Sequence, residues 1–150
     1  MTGIDNVVIN AHTGGNARDL SKVAAPVYIN ADIANDALTV ASGAAVTLGK
    51  DQTTGTKIYS KTDKGTLSLT MGDDTADTST ATIAAGAVTL GTTAGTFATV
   101  AIDATAGAFS ATTFDATGGV ATAKPVVTIK GTKAVTVTGA YATTTNSAVA

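Results

Sequence analysis

The chain has 150 residues, and 31 Thr, 30 Ala and 16 Gly make up about half of it. Its charged residues amount to 13%, its net charge is −2, and it has no Cys, no Trp, three Tyr and three Phe. This composition excludes disulfides and thiolate metal sites, and it argues against nucleic-acid binding because no basic patch with stacking aromatic rings is present.

The N-terminal segment 1–35 differs from the rest, since it holds five of the six Asn residues, the only His and the only Arg. Two short apolar runs, 7–9 and 27–29, are separated by a Gly-Gly-Asn turn at 14–16. We therefore expect residues 1–35 to form an extended N-terminal arm or the first strands, and residues 36–150 to form a β-sandwich domain.

From residue 36 onward, apolar residues alternate with polar or small ones, which is the period of a strand with one buried face. Gly or Asp clusters recur at the spacing expected for short antiparallel strands. The sequence thus predicts an all-β fold, an antiparallel β-sandwich or β-barrel of short strands. The residues expected to face inward are Val46, Leu48, Leu67, Leu69, Val88, Leu90, Val100, Ile102, Ile129, Val135 and Val137.

A weak internal repeat supports the series of strands. The letters AVTLG occur at 45–49 and again at 87–91, and the related AVTVTG occurs at 134–139. Because the spacings are unequal, we predict neither a solenoid nor a propeller.

A second repeat places Asp103 and Asp115 at the start of two Asp-Ala-Thr-x-Gly segments. An Asp side chain caps a turn and the later Gly accepts a positive φ, so we expect two β-turns with Gly107 or Gly119 in the left-handed region. The alternative is a Ca²⁺ site that uses the two Asp residues, although neither segment supplies the further oxygen ligands that Ca²⁺ prefers.

The densest acidic cluster contains Asp73, Asp74 and Asp77, and it predicts a solvated loop, with a weak cation site as the alternative. The lone His12 lies in a polar context that favours a solvated or surface-bonded imidazole over a general base. We found no nucleophile motif and no phosphate-binding loop. The chain is therefore expected to be no enzyme, with no catalytic, cofactor-binding or metal-binding residue assigned and no cofactor.

The first residues, 1–5, lack the basic and apolar regions of a signal peptide, and no apolar stretch is long enough to span a membrane. We therefore expect neither secretion through such a signal nor a membrane partner.

Abundant Ala, Thr, Gly and Val, few charges and many short strands together resemble virion proteins of tailed bacteriophages, especially capsid decoration (cement) proteins. The resemblance implies a non-enzymatic protein of the virion that stabilises a shell. Its expected partners are other copies of itself and a major capsid or shell protein, contacted in part through the arm.

Two alternatives remain open. The first is an extracellular filament or surface-layer subunit, and the second is a small carbohydrate-binding module, for which the chain has few aromatic platforms.

Overall fold

The computed structural model describes residues 5–12, 14–34, 36–72, 82–91, 95–120, 122–142 and 148–149. Within these ranges the backbone forms fourteen strands and no helix, which confirms the all-β expectation.

The strands lie in two sheets. The first sheet has the order β1 (Val7–Ile9), β3 (Val27–Ile29), β5 (Ala44–Leu48), β7 (Gly65–Met71), β9 (Phe97–Asp103), β11 (Val126–Lys130) and β14 (Ala148–Val149). The second has the order β2 (Arg18–Leu20), β4 (Ala37–Val40), β6 (Thr56–Ser60), β8 (Thr82–Leu90), β10 (Ala108–Asp115) and β12 (Val135–Val137), with β13 (Tyr141–Ala142) also paired to β10.

Consecutive strands from β1 to β12 alternate between the two sheets, and every strand pair is parallel. One coil of the chain therefore consists of a strand in the first sheet, a corner, a strand in the second sheet and a second corner. Stacking such coils produces a two-sheet parallel β-solenoid, in which each coil bonds mainly to the coils on either side of it.

The antiparallel β-sandwich or β-barrel predicted from the sequence is wrong, because all the pairings are parallel. A period-two pattern reports that one face of a strand is buried, and it is the same whether the neighbouring strand runs parallel or antiparallel. Within the described part of residues 1–35 the chain forms the first strands, which was the second alternative, and not an extended arm. Residues 7–9 pair with 27–29 and residues 18–20 pair with 38–40, so this segment forms the first coil of the solenoid.

The core lies between the two sheets and is built by the inward-facing residues of each coil. It contains all three Phe residues, of which Phe109 and Phe114 meet edge to face with ring centroids 6.2 Å apart. Fully burying a side chain of this kind stabilises the fold by about 1.5–3 kcal/mol. Eight of the predicted inward residues are buried, namely Val46, Leu48, Leu67, Leu69, Val88, Leu90, Val100 and Ile102. The other three, Ile129, Val135 and Val137, are half-buried and pack against the core.

The coils differ in length, which explains why the internal repeat is unequally spaced. Nineteen positions separate Val27 from its partner Val46, whereas thirty-three separate Leu67 from its partner Val100. The expectation that unequal spacing excludes a solenoid was therefore wrong. The strands stack in register while the corners absorb the differences in length.

At some corners neighbouring coils touch through their backbones. A Cβ atom on Gly107 would lie 1.9 Å from the carbonyl oxygen of Gly72, and one on Gly95 would lie 2.0 Å from that of Ser60. Since real Cβ contacts are never this short, both positions require glycine. The stacking of coils thus depends on small residues at the corners as well as on apolar residues within the strands.

A fully buried Gln52 joins two coils at a corner. Its Oε1 accepts a hydrogen bond from the Ile33 amide at 2.8 Å, and its Nε2 donates to the carbonyl oxygens of Ala31 and Lys50, both at 2.9 Å. Because these bonds satisfy the amide group, its burial does not leave an unpaired polar atom.

Candidate interaction surfaces

Two corners run along the solenoid. The first corner contains the connections from the first sheet to the second, and the second corner contains those from the second sheet back to the first. Asp103 ends β9 at the first corner, and Asp115 ends β10 at the second. The eight-residue strand β10 lies between the corners, so the structure does not bring the two Asp residues together into one Ca²⁺ site.

Both Asp residues cap turns, as the sequence predicted. Asp103 accepts hydrogen bonds from the amide and the hydroxyl of Thr105 at 3.0 and 2.6 Å, and Asp115 accepts the same pair from Thr117 at 2.8 and 2.6 Å. Gly119 has a φ of 75° and donates its amide to the other carboxylate oxygen of Asp115. These carboxylates are therefore structural acceptors at the corners.

The predicted loop or cation site at Asp73, Asp74 and Asp77 lies outside the described residues, in the connection from β7 to β8. Across the part of the chain that is described, no group of three or more His, Asp or Glu side chains is placed to hold a metal ion.

A cleft of about 380 Å³ opens at the second corner, where the strands β7, β9 and β11 begin. We call it the lysine cleft, because Lys64 and Lys124 contribute to its wall and both are exposed. Its volume is within the range of small ligand-binding clefts. Its lining residues are Asp63, Lys64, Thr96, Phe97, Ala98, Val120, Thr122, Ala123 and Lys124.

The lysine cleft holds two ammonium groups and the carboxylate of Asp63. The Asp63 carboxylate accepts the Thr96 hydroxyl, and this hydrogen bond lowers the pKa of Asp63. Among the described residues, neither Lys64 nor Lys124 has an ion-pair partner within 4 Å. Lys64 also has a φ of 57°, a left-handed conformation that costs about 1–2 kcal/mol for a residue with a Cβ.

A polar cluster lies on the N-terminal coil of the solenoid. Arg18 takes the inward-facing position beside Leu38, and its Nε donates to His12 Nδ1 at 3.3 Å. His12 Nε2 lies 2.7 Å from an Asp36 carboxylate oxygen, and only 1% of the imidazole is exposed. The His12 contact lowers the pKa of the Asp36 carboxyl. An inward-pointing charged residue on a short edge strand discourages pairing with another strand, so this end is protected.

The opposite end of the solenoid is more apolar. Ile129, Val135 and Val137 face inward in the last complete coil but remain half-buried. Within the described residues the outer edge of β12 pairs with no strand, and it carries no charged side chain. Residues 116–150 contain three Lys and no acidic residue. This end therefore offers an unpaired strand edge beside partly exposed apolar side chains.

Sequence reasoning missed both the lysine cleft and the two ends. Lys57, Lys61 and Lys64 suggest an exposed charged strand edge, but Lys57 lies in β6, which is paired on both sides. Lys61 and Lys64 are instead exposed at the second corner, where Lys61 forms an ion pair with Asp19 at 3.2 Å. Only the stacking of coils brings Lys124 beside Lys64, so no local signal marks the cleft.

The described residues form a two-sheet parallel β-solenoid with an unpaired edge at β12 and a lysine-lined cleft at a corner. No family model matches the chain, and comparison with the curated proteins and with the solved structures gives no match either. Where the chain is described, it contains no helix long and apolar enough to cross a membrane.

Proposed function

We propose that the chain is a non-enzymatic structural protein, a subunit of a filament or surface layer. The observation that carries this proposal is that, among the described residues, the outer edge of β12 has no strand partner. A parallel strand placed on β12 would complete its backbone hydrogen bonds and would cover Val135 and Val137. Solenoids grow in one dimension because each coil contacts only its neighbours, so such a contact extends an assembly.

The alternatives fit the geometry less well. Capsid decoration remains a prediction from composition, and its expected attachment arm is part of the solenoid. A carbohydrate-binding module needs exposed aromatic platforms. Tyr28 packs against Gly49, and Tyr59 is half-buried within β6, so neither ring is fully exposed.

Electron microscopy and sedimentation of the purified chain test the proposal. We expect the wild-type protein to form filaments or sheets, because the unpaired edge of β12 favours strand addition. The double substitution V135K/V137K places charges beside that edge, and it should leave single particles.

The control is T132K, which adds one charge at an exposed corner residue and should assemble like the wild type. Circular dichroism of each variant verifies that the strands are retained. Wild-type protein that stays monomeric over a wide concentration range would contradict the proposal.

A further inference from the structure

We propose that His12 is a pH-dependent latch in the first coil of the solenoid, and that its protonation releases Arg18 from the inward-facing position of β2. The change takes place within one molecule, so it does not depend on the proposed assembly. Three features of the molecule support it, namely the hydrogen-bond partners of the imidazole, its burial and the few contacts that hold β2.

The two partners of the imidazole determine which of its nitrogens carries the hydrogen. A guanidinium group only donates, so His12 Nδ1 accepts the hydrogen bond of 3.3 Å from Arg18 Nε. An ionised carboxylate only accepts, so His12 Nε2 carries the hydrogen and donates it to Asp36 at 2.7 Å. Both contacts are satisfied together only when His12 is neutral.

Protonation of His12 removes one of these contacts and strengthens the other. The added proton binds to Nδ1, which then faces the Arg18 Nε–H as a second donor on a second positive charge. The contact of Nε2 with Asp36 becomes a charge-assisted hydrogen bond, which is stronger than a neutral one. Because Arg18 is exposed and only 1% of the imidazole is, the arginine is the side chain that moves away.

Charged groups from two elements of the described structure face the imidazole. Strand β2 supplies Arg18, which opposes protonation. The connection from β3 to β4 supplies Asp36 and also Asp32, whose charge interacts with that of His12. The two carboxylates favour an imidazolium, so they make protonation possible in spite of burial. Since a histidine side chain ordinarily changes charge between about pH 5 and pH 8, this is the range in which the latch is tested.

Few contacts hold β2 in place. It has three residues and, among the described strands, it pairs only with β4. Its end is held independently of the latch, because Leu20 packs against the core and Asp19 forms an ion pair with Lys61. The side chain of its first residue, Arg18, is held by His12. Protonation should therefore loosen the start of β2, and the edge then loses the inward charge that protects it.

An NMR titration of the isotope-labelled full chain from about pH 8 to about pH 5 tests the latch. His12 is the only histidine in the sequence, so a sample without a polyhistidine tag gives a single set of imidazole signals. At the upper pH the hydrogen should lie on Nε2 and not on Nδ1. As the imidazole titrates, the signal of the Arg18 Nε–H should shift with the same midpoint, because its acceptor is lost.

Hydrogen exchange at the two ends of this pH range is the second measurement, with rates corrected for the intrinsic effect of pH on amide exchange. Protection at the start of β2 should fall by at least about fivefold at the lower pH, because a hydrogen bond is lost, while protection of β7 stays constant. In H12Q the fall should be absent, since a glutamine amide can accept from Arg18 and donate to Asp36 without titrating. The control K22Q removes a charge from an exposed residue just beyond β2, and it should respond like the wild type.

The variant R18Q tests the latch from the other side, and it serves also if H12Q destabilises the first coil. It removes the positive charge and keeps an amide that can donate to Nδ1 or accept from it. The midpoint of the His12 titration should rise by at least about half a pH unit, because the opposing charge is gone. Exchange at the start of β2 should no longer depend on pH. If Arg18 only filled space at the edge of the solenoid, the midpoint would not move.

Several results would overturn the latch. A hydrogen on Nδ1 at the upper pH is one, and an imidazole that does not titrate in this range is another. The same conclusion follows if β2 of the wild type keeps its protection at the lower pH, or if R18Q or a folded H12Q loses protection as the wild type does. None of these results bears on the proposed assembly, which is tested at β12.

Discussion

Gly107 shows how single residues at a corner determine whether two coils can stack. The sequence predicts a positive φ at Gly107 or Gly119, and the structure has it at Gly119. Gly107 is required for a different reason, namely that the backbone of Gly72 in the preceding coil leaves no space for a Cβ. A turn motif predicts conformation, but it does not report how closely another coil approaches.

We expect G107A to lower the free energy of unfolding by about 1–3 kcal/mol, because an added methyl group forces backbone to move in a packed region. The matched control is G14A. A Cβ at Gly14 would lie 3.6 Å from Ala34 Cβ, an ordinary van der Waals distance, and Gly14 has no positive φ. Urea unfolding of the two variants measures the difference. Equal midpoints would show that the coils do not press on Gly107.

The sequence predicted the burial of some residues and not of others. Val46, Leu69 and Ile102 were assigned to the core from their alternation, and all three are buried. Gln52 gives no such signal, because an amide side chain among polar neighbours is normally exposed. Its burial depends on backbone groups from an earlier coil, which no local pattern contains.

At the scale of strands and corners, the sequence predicted where the strands lie better than whether neighbouring strands run parallel or antiparallel. The observed strands β5, β7 and β9 each contain two of the predicted inward residues. By contrast, none of the predicted inward residues lies in β10, whose alternation is weak because most of its residues are Ala, Ser and Thr. The direction of pairing could not be predicted, because alternation is identical in parallel and antiparallel sheets.

The corners depend on ionised carboxylates, and this dependence predicts an acid sensitivity. Hydrogen bonds from Ser21, with a smaller effect of Lys61, lower the pKa of Asp19 to about 2. The Thr105 hydroxyl and Lys130 lower the pKa of Asp103. A carboxyl whose pKa is lower in the folded state stabilises the fold above its ordinary pKa of about 3.9, and this contribution is lost as pH falls toward the folded value.

We therefore expect that the titration of these carboxyl groups does not change the melting temperature above about pH 4. Between about pH 4 and pH 2 the melting temperature should fall as the groups become protonated. In D103N the fall should be smaller, because the asparagine does not titrate. D5N serves as the control, since Asp5 is exposed and makes no turn hydrogen bond in the described structure. Thermal melts across this pH range, followed by circular dichroism, provide the measurement. Parallel pH curves for D103N and the wild type would contradict the role of Asp103.

For the molecule as a whole, the solenoid could not be predicted from the sequence, because the coils repeat in structure while the number of residues per coil varies. The partners of Val27 and Leu67 lie at very different distances along the chain, so the sequence has no fixed period. The lysine cleft depends on the same stacking, since it combines residues near 64, 97 and 124. Surfaces of this kind become visible only when the register of the coils is known.

Stacked coils also imply that stability is distributed unevenly along the molecule. The strands β7 and β8 bond to a neighbour on each side, whereas β2 and β12 each have one neighbour among the described residues. In such arrays stability is close to a sum of terms between neighbouring coils, so the terminal coils open without unfolding the rest. Local opening of this kind exposes backbone amides to solvent exchange.

We therefore expect a gradient of hydrogen exchange from the centre of the solenoid to its ends. Peptides that cover β7, β8 and β9 should exchange slowest, and those that cover β2 and β12 should exchange faster by at least about tenfold, which corresponds to about 1.4 kcal/mol of opening free energy. Mass spectrometry of the intact chain under native conditions measures these rates.

The substitution V127A, in a buried position of β11, should accelerate exchange in β11 and β12 while leaving β4 and β6 unchanged. If all strands exchanged at one common rate, and V127A accelerated them equally, the solenoid would unfold as a single cooperative unit and the neighbour-by-neighbour account would be wrong.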